Sequence, residues 1–313
     1  MLIAGPNLTI DRTLTIDELR PGEVLRFSEA VVTPGGKGVN VARLARSLDA
    51  DAVLVGFTPG RTGAAAAGLL GDEDLVVRGV AVGGEIRSTA VVLERGGRVT
   101  VFNEPGPELA PGDWERFEQA VADALSRERV LACSGSLPPG SPDDAYGRLV
   151  ALARARGVVS IVDVTGPQLA AALAAGADFV TPNLAEAEGL LHGRSDETVE
   201  AGDVEVVRSR ATAAATELVA RGARRAVVTA AAAGAAVASA DGSRWLPAPR
   251  VASVRNPIGA GDALVGGLAL ALERGEPFED AVAFGVAAGA ASVETDTAGV
   301  VVAARVEELA RGV

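Results

Sequence analysis

From Pro111 onward, helix-like and strand-like stretches alternate with a short, regular spacing, and no other feature of the chain constrains its fold as strongly. An amphipathic stretch to about Leu125 is followed by an apolar run at Val130 to Cys133 and a second amphipathic stretch from Pro142 to Arg156. Then come an apolar run at Val159 to Val164, a short helix-like stretch from Gln168 to Ala174, and another run at Phe179 to Thr181. Short apolar runs without polar alternation suit strands covered on both faces. Strands separated by helices pair in parallel, because each helix carries the chain back to where the next strand must begin. Ser141 as N-cap, with Pro142 at the first helical position and Asp143 and Asp144 after it, predicts a sharp start for the second helix.

The same alternation extends in both directions. Residues 2 to 7 read as a buried strand, Val39 to Leu48 as an amphipathic helix, Val53 to Phe57 as a strand and Gly63 to Leu70 as a helix of small residues. Further along, a helix from Glu205 to Arg221 precedes strands at Ala226 to Thr229, at Gly234 to Ala238 and around Trp245. Helices are expected after Asp262, from Phe278 to Val293 and near Arg305. The expectation is an α/β fold: a three-layer, mostly parallel sheet with helices on both faces, in a single domain spanning 1–313. Two segments interrupt it, approximately 8–33 and 76–108. Runs at Val76 to Val82, Thr89 to Glu94 and Val99 to Phe102, with Gly96-Gly97 as a turn, predict a small β lid made from these segments.

Composition narrows the function by exclusion. With 48% hydrophobic residues and a net charge of −12, the chain supports a large core and does not suit general binding to nucleic acid or an anionic membrane. No apolar run approaches the ~20 residues of a membrane span, and Asp11 and Arg12 follow too soon for a signal peptide. The single cysteine, Cys133, lies among apolar neighbours and reads as a buried strand residue in a reducing, cytoplasmic setting. Exposed lid edges would favour a homodimer.

Two stretches carry the chemistry. Asn256 to Gly267 places Gly259, Ala260, Gly261 and Asp262 where a loop becomes an apolar helix, and the unpaired NH groups of that first turn attract anions. Asp262 is there as a partner of the helix dipole or as a base beside a bound anion. Of the 29 lysines and arginines, all but Lys37 are arginine, and Lys37 stands within Gly35-Gly36-Lys37-Gly38. This is no P-loop, since Gly38 replaces the required Ser or Thr, and the dinucleotide fingerprint is absent because Leu264 follows Gly259 and Gly261. Asn183 and Glu186 have capping-box spacing, Glu188 is expected on another, exposed face, and His192 reads as a surface residue at a helix C-terminus.

Gly35-Gly36-Lys37-Gly38 with Asn40-Val41-Ala42, and Gly259-Ala260-Gly261-Asp262 near the other end, resemble the two signatures of the ribokinase/PfkB carbohydrate kinases. Between them Ser134-Gly135-Ser136-Leu137-Pro138, Asp163, and Pro182-Asn183 with Glu186 fall in the family order, so the likeness spans nearly the whole chain. Within the family it is similar to the 1-phosphofructokinases and tagatose-6-phosphate kinases. The resemblance implies ATP and Mg²⁺, with Asp262 as base and the NH groups of Gly259, Ala260 and Gly261 as the anion hole. It implies Asn183 and Glu186 at the magnesium ion, and Asn183, Thr229, Gly234, Gly259 and Gly261 around the nucleotide. It places Asp11, Gly36, Lys37, Asn40, Asn103 and Ser136 at the sugar, and Arg87 at its phosphate, where the alternative is an edge-strand charge. The implied reaction converts fructose 1-phosphate to fructose 1,6-bisphosphate, with tagatose 6-phosphate or fructose 6-phosphate as alternative acceptors. A neutral-sugar or nucleoside kinase and a non-catalytic sugar-phosphate sensor are the remaining readings. Leu8, Thr89, Val91, Pro257 and Ala231 depart from the family's usual residues.

Overall fold

The computed structural model of the protein describes residues 1–27, 30–193 and 202–312. Its elements begin with β1 (Leu2–Ala4), β2 (Thr9–Ile16), β3 (Ala30–Gly35), α1 (Lys37–Ser47), β4 (Val53–Phe57), α2 (Gly60–Asp72), β5 (Val76–Val80), β6 (Arg87–Glu94) and β7 (Val99–Asn103). The regular alternation follows as α3 (Asp113–Ala124), β8 (Val130–Ser134), α4 (Ala145–Ala155), β9 (Val159–Asp163), α5 (Gly166–Ala174), β10 (Phe179–Val180) and α6 (Leu184–His192). After it come α7 (Val204–Ala220), β11 (Arg225–Ala230), β12 (Gly234–Ser239), β13 (Gly242–Pro247), α8 (Ala260–Arg274), α9 (Phe278–Ser292) and α10 (Ala303–Ala310).

Among the described residues, nine strands form one sheet in the order β13-β12-β11-β10-β9-β8-β1-β4-β5. Pairing is parallel from β11 through β5 and antiparallel only where β12 and β13 extend the edge. Successive strand side chains point to opposite faces, so the central strands feed two separate cores. Leu2, Leu131, Cys133 and Val162 join the core beneath α3 to α7, whereas Ile3, Val130, Ala132 and Ile161 join the core beneath α1, α2, α8, α9 and α10. The three layers predicted from the alternation are therefore present, and Cys133 is buried as expected. Among the described residues no helix is long and apolar enough to cross a membrane.

α8 carries Asp262 and is buried along Asp262 to Ala271. Its approach to α9 depends on small residues: a Cβ on Gly267 would lie 2.7 Å from the Cβ of Ala288. That contact fixes the helix rigidly against its neighbour, which a site built on its first turn requires.

The small sheet has the order β3-β2-β6-β7, with β2 antiparallel to β3 and parallel to β6, and with β6 and β7 forming a hairpin through Gly97. Ser28 and Glu29, inside the segment expected to contribute, lie outside the described residues. Val76 to Val80 does not belong to this sheet, contrary to the sequence reading: β5 pairs in parallel with β4 at the edge of the main sheet. α2 is the crossover that returns the chain for that pairing, and one exposed strand face at an edge gave the run its lid-like appearance.

Three local expectations are also corrected. Helix α4 starts at Ala145 with Asp144 as N-cap. Ser141 instead donates from its Oγ to the carbonyl of Pro138 at 2.7 Å, so a local turn has claimed its hydroxyl. α1 begins at Lys37, two residues early, because Gly36 adopts φ 112° and ends β3 abruptly. Glu188 is buried, not exposed, since α7 covers α6 at that point and Arg210 binds its carboxylate, with Nε to Oε1 at 2.8 Å. His192 ends α6 with its side chain half-exposed, as read.

Candidate active site

The passage from β3 into α1 places Lys37 at the first position of a helix. Its Nζ donates to Oδ2 of Asp163 at 2.9 Å, and Asp163 sits at the end of β9, where Thr181 Oγ1 also reaches it at 3.3 Å. In a parallel sheet the carboxyl ends of the strands are the usual ligand edge, and the first turn of a following helix opens there. Asp163 holds the ammonium more firmly protonated than an ordinary lysine, burial opposes this, and Asp262 and Glu186 add to it.

Gly259, in the left-handed region at φ 82°, caps α8 and leaves Asp262 in the first turn. Asp262 is buried, and its Oδ2 accepts a hydrogen bond from Asn40 Nδ2 at 2.7 Å. Burial pushes its carboxyl up to about 7; Lys37 and the Asn40 hydrogen bond pull it down, whereas Asp163 and Glu186 push it further up. A carboxylate that only balanced a helix dipole would be exposed and made more acidic. This one is shielded and poised to exchange a proton near neutral pH, the property wanted in a general base. A Cβ on Gly261 would meet nothing within 4 Å, so there is room beside this turn for an anion.

A cavity of about 240 Å³ lies next to Lys37, and Asn7, Gly36, Lys37, Arg87, Asn103 and Ser136 are among the residues lining it. Arg87 opens β6 and donates from Nε to the carbonyl of Asn7 at 3.2 Å. Asn103 accepts from Thr89 Oγ1 at 3.0 Å, and Ser136 Oγ accepts from Asn7 Nδ2 at 2.9 Å. Asp11, on β2, has a buried Oδ1 with no partner, as does Asn7 at its own Oδ1. Unpaired buried acceptors cost about 1–3 kcal/mol each, a deficit that the hydroxyl groups of a ligand would remove. Burial raises the Asp11 carboxyl, against hydrogen bonds from Thr89 and Thr9 and the charges of Arg87 and Arg43.

Gly35 gives Asp11 its place. A Cβ on Gly35 would lie 2.0 Å from Asp11 Oδ2, so Gly35→Ala must displace that carboxylate. A displacement of this size is expected to raise KM for a substrate whose hydroxyls meet Asp11 by ~10-fold or more; steady-state kinetics with an unchanged KM would show that Asp11 does not meet substrate.

At the start of α6, Asn183 and Glu186 make the predicted reciprocal capping box: Glu186 N donates to Asn183 Oδ1 at 2.8 Å and Asn183 N to Glu186 Oε2 at 2.9 Å. Glu186 is raised by burial, with Lys37 lowering it and Asp163 raising it. Thr229 is tied to this end through its NH, which donates to the carbonyl of Pro182 at 3.1 Å. Gly234 has a structural reason of its own, since a Cβ there would lie 2.2 Å from the carbonyl oxygen of Leu246.

The arrangement runs from a cationic, hydroxyl-seeking cavity, past a basic carboxylate in an anion-binding turn, to a second carboxylate at a helix start. A family profile described as pfkB family carbohydrate kinase matches residues 7–303. The chain belongs to this family. It is a carbohydrate kinase, a phosphotransferase with an alcohol group as acceptor. It is 35% identical over 288 residues to 1-phosphofructokinase of Haloferax volcanii, covering 91% of this chain and 88% of that one. To ATP-dependent 6-phosphofructokinase isozyme 2 of Escherichia coli K12 it is 33% identical over 287 residues, covering 91% and 89%. A crystal structure of phosphofructokinase-2 from Escherichia coli in complex with potassium superposes with a TM-score of 0.87 at 29% identity, covering 100% of this chain and 98% of that one.

For a pfkB kinase, several residues here were given no role from the sequence. Asn7 lines the cavity and joins Pro105, Ser136 and Arg87; Asp163 anchors Lys37; Arg43 lies buried behind Asn40. Asn7 and Asp163 carried a usable signal, being polar residues at or just past the carboxyl ends of apolar strands. Arg43 carried a weaker one, a charge on the otherwise apolar side of α1. A larger open groove of about 690 Å³ between α7 and β13, lined by residues including Arg208, Thr212 and Trp245, contains none of the residues assigned above.

Proposed function

We propose that this protein is an ATP-dependent kinase that phosphorylates the C6 hydroxyl of fructose 1-phosphate, giving fructose 1,6-bisphosphate. The observation that carries the phosphosugar reading is the pairing of Lys37 and Arg87 in one small cavity, with Asp11 ready to accept sugar hydroxyls. A neutral sugar has no need of two cations, whereas a sugar phosphate is held well by an arginine fork and a lysine point charge. The likeness to 1-phosphofructokinases supports the choice of fructose 1-phosphate. Fructose 6-phosphate, phosphorylated at C1, is the second reading, favoured by the likeness to the 6-phosphofructokinase isozyme 2. Tagatose 6-phosphate belongs with it.

In this reading Asp262 takes the proton of the acceptor hydroxyl as the phosphoryl group moves. The NH groups of Gly259, Ala260 and Gly261 receive the negative charge, and Lys37 stands between the acid cluster and the cavity. Thr229 and Asn183 border the nucleotide.

Among the described residues no group of three His, Cys, Asp or Glu side chains forms a ready-made metal cage. What suits Mg²⁺ is the start of α6, where Glu186 Oε1 is left over from the capping box. Mg²⁺ keeps much of its water and uses one or two carboxylates with substrate phosphates, so Asn183 and Glu186 would hold it at the nucleotide, where it neutralises phosphate charge. Glu186→Gln is expected to raise the Mg²⁺ concentration for half-maximal activity by ~10-fold or more and to leave KM for the sugar phosphate unchanged; the reverse pattern in a Mg²⁺ titration would remove Glu186 from that role.

A homodimer through the small sheet is supported by its exposed apolar residues Val31, Val32, Val99, Val101 and Phe102. Sedimentation equilibrium tests it, and a monomer at all concentrations refutes it. A reducing, cytoplasmic setting accords with the buried thiol of Cys133, raised by burial. The deciding assay compares phosphorylation of fructose 1-phosphate, fructose 6-phosphate, tagatose 6-phosphate and fructose by purified protein. The highest kcat/KM on fructose 1-phosphate is expected, and turnover of fructose alone would overturn the phosphosugar reading.

A further inference from the structure

Arg43 is a buried cation that the reaction as described does not use. It lies on α1, one turn beyond Asn40, and is 7% exposed. Its guanidinium makes four hydrogen bonds. Nε and Nη2 hold both oxygens of Glu73 at 2.6 and 2.7 Å, Nη2 also reaches the carbonyl of Pro34 at 2.7 Å, and Nη1 donates to Asn40 Oδ1 at 3.3 Å. Glu73 follows the end of α2, and Pro34 leads into Gly35 and Gly36. One planar group thus ties α2, the end of β3 and α1 together directly behind the proposed base.

We propose that Arg43 is a positioning residue that sets the orientation of the Asn40 amide, so that Asn40 offers its NH₂ group and not its oxygen to Asp262. An amide has one accepting and one donating end. With Oδ1 on Arg43, Nδ2 must face Asp262, where the 2.7 Å bond is found. The reversed amide would set an oxygen against a carboxylate and NH₂ against a guanidinium, two repulsive contacts at once. Arg43 selects the only arrangement that satisfies both neighbours, and Glu73 fixes Arg43. The same cation lies near enough to Asp11 to favour its ionised form. A single charge behind α1 therefore serves the sugar-binding carboxylate and the base together.

A hydrogen bond to the ionised form of a carboxylate favours that form, so loss of the Asn40 donor makes Asp262 harder to ionise. The other groups acting on Asp262 are Lys37 of α1, Asp163 at the end of β9 and Glu186 of α6. None of these bonds to Arg43. Arg43 acts on the base through Asn40 alone, which separates its effect from theirs.

This inference rests on the reading of Asp262 as the base, and the test keeps the two apart. Two variants are compared with the unaltered protein. Arg43→Lys keeps a cation for Glu73 but lacks the fork needed to reach Asn40 as well. Arg43→Met combined with Glu73→Met removes the buried pair together, so that no charge is left unpaired in a variant that must fold. For each, kcat/KM is measured against pH, the Asp262 carboxyl is titrated by ¹³C NMR, and thermal unfolding is recorded.

The expected result is an acid limb and a carboxyl titration both moved up by about one unit, the equivalent of one hydrogen bond to a charged group. Activity would then fall roughly fivefold at pH 7 and little at pH 9. A lowered unfolding temperature with an unmoved titration and an equal loss of activity at every pH would overturn the proposal and leave Arg43 a purely structural residue. Should the unaltered protein phosphorylate no sugar phosphate, the phosphosugar reading of the site falls, and the carboxyl titration alone still decides whether Arg43 orients Asn40.

Discussion

Asp262→Asn is expected to lower kcat by at least ~10²-fold while KM for the sugar phosphate changes little. The substitution keeps the size of the side chain and its place in the first turn of α8, and removes only the ability to take a proton. In the unaltered protein, kcat/KM should rise through an acid limb with a midpoint near 7, because burial pushes the Asp262 carboxyl up to about 7. The same shift has a consequence for stability, and its sign is definite. The carboxyl binds its proton more tightly in the folded chain than at the ordinary value of 3.8. Its contribution is therefore fully present below pH 3.8 and is lost as pH rises through about 7. Above that point the unliganded protein carries a buried ionised group that Lys37 and Asn40 only partly compensate. Asp262→Asn should accordingly be more stable than the unaltered protein at pH 8, by on the order of a few kcal/mol, and about equally stable at pH 4. A variant with near-normal kcat would remove Asp262 from the role of base, and one destabilised at pH 8 would contradict the strain assigned to it.

Arg87→Ala should raise KM for the phosphosugar by ~10²-fold and reduce kcat far less, since the role proposed for the arginine is to hold the end of the substrate that does not react. Arg87→Lys should recover part of the loss, because it restores the charge but not the two-pronged geometry. In the structure Arg87 is already aimed, its Nε fixed on the carbonyl of Asn7, which leaves the rest of the guanidinium directed at the cavity. The competing explanation, a charge that merely guards a strand edge, predicts an unchanged KM. The position argues against it: Arg87 starts β6, an inner strand of the small sheet flanked by β2 and β7. Unphosphorylated fructose supplies the control, since its poor turnover should be indifferent to the substitution.

Much of the architecture was legible because strand periodicity and helix amphipathicity are local properties. Val53 to Phe57 needed only its own apolar run and flanking turn residues to be placed, and it occupies those bounds. Val76 to Val80 shows where this reasoning ends. Its residues suit an edge strand in either sheet, and the choice was made by α2, which returns the chain alongside β4. Ser141 failed for a similar reason: its hydroxyl had two nearby partners, and the turn at Pro138 held the better one. Glu188 looked exposed because helical spacing assigns a face without saying what covers it, and α7 covers that face.

The sequence by itself determined the three-layer α/β fold, the family, and the residues Lys37, Asn183, Glu186, Gly259, Gly261 and Asp262 as places where chemistry would gather. Each rests on a pattern within a few residues, and short patterns survive without tertiary context. Only the tertiary structure decided that Lys37 faces Asp163, that Asp262 is buried and bonded to Asn40, and that Arg43 stands behind that amide. Those contacts join positions far apart in the chain, and the proton affinity of the proposed base depends on burial and on charges brought by three separate elements, α1, β9 and α6. No local pattern encodes such a sum; the closure of the sheet and the seating of α1 and α8 against it produce it.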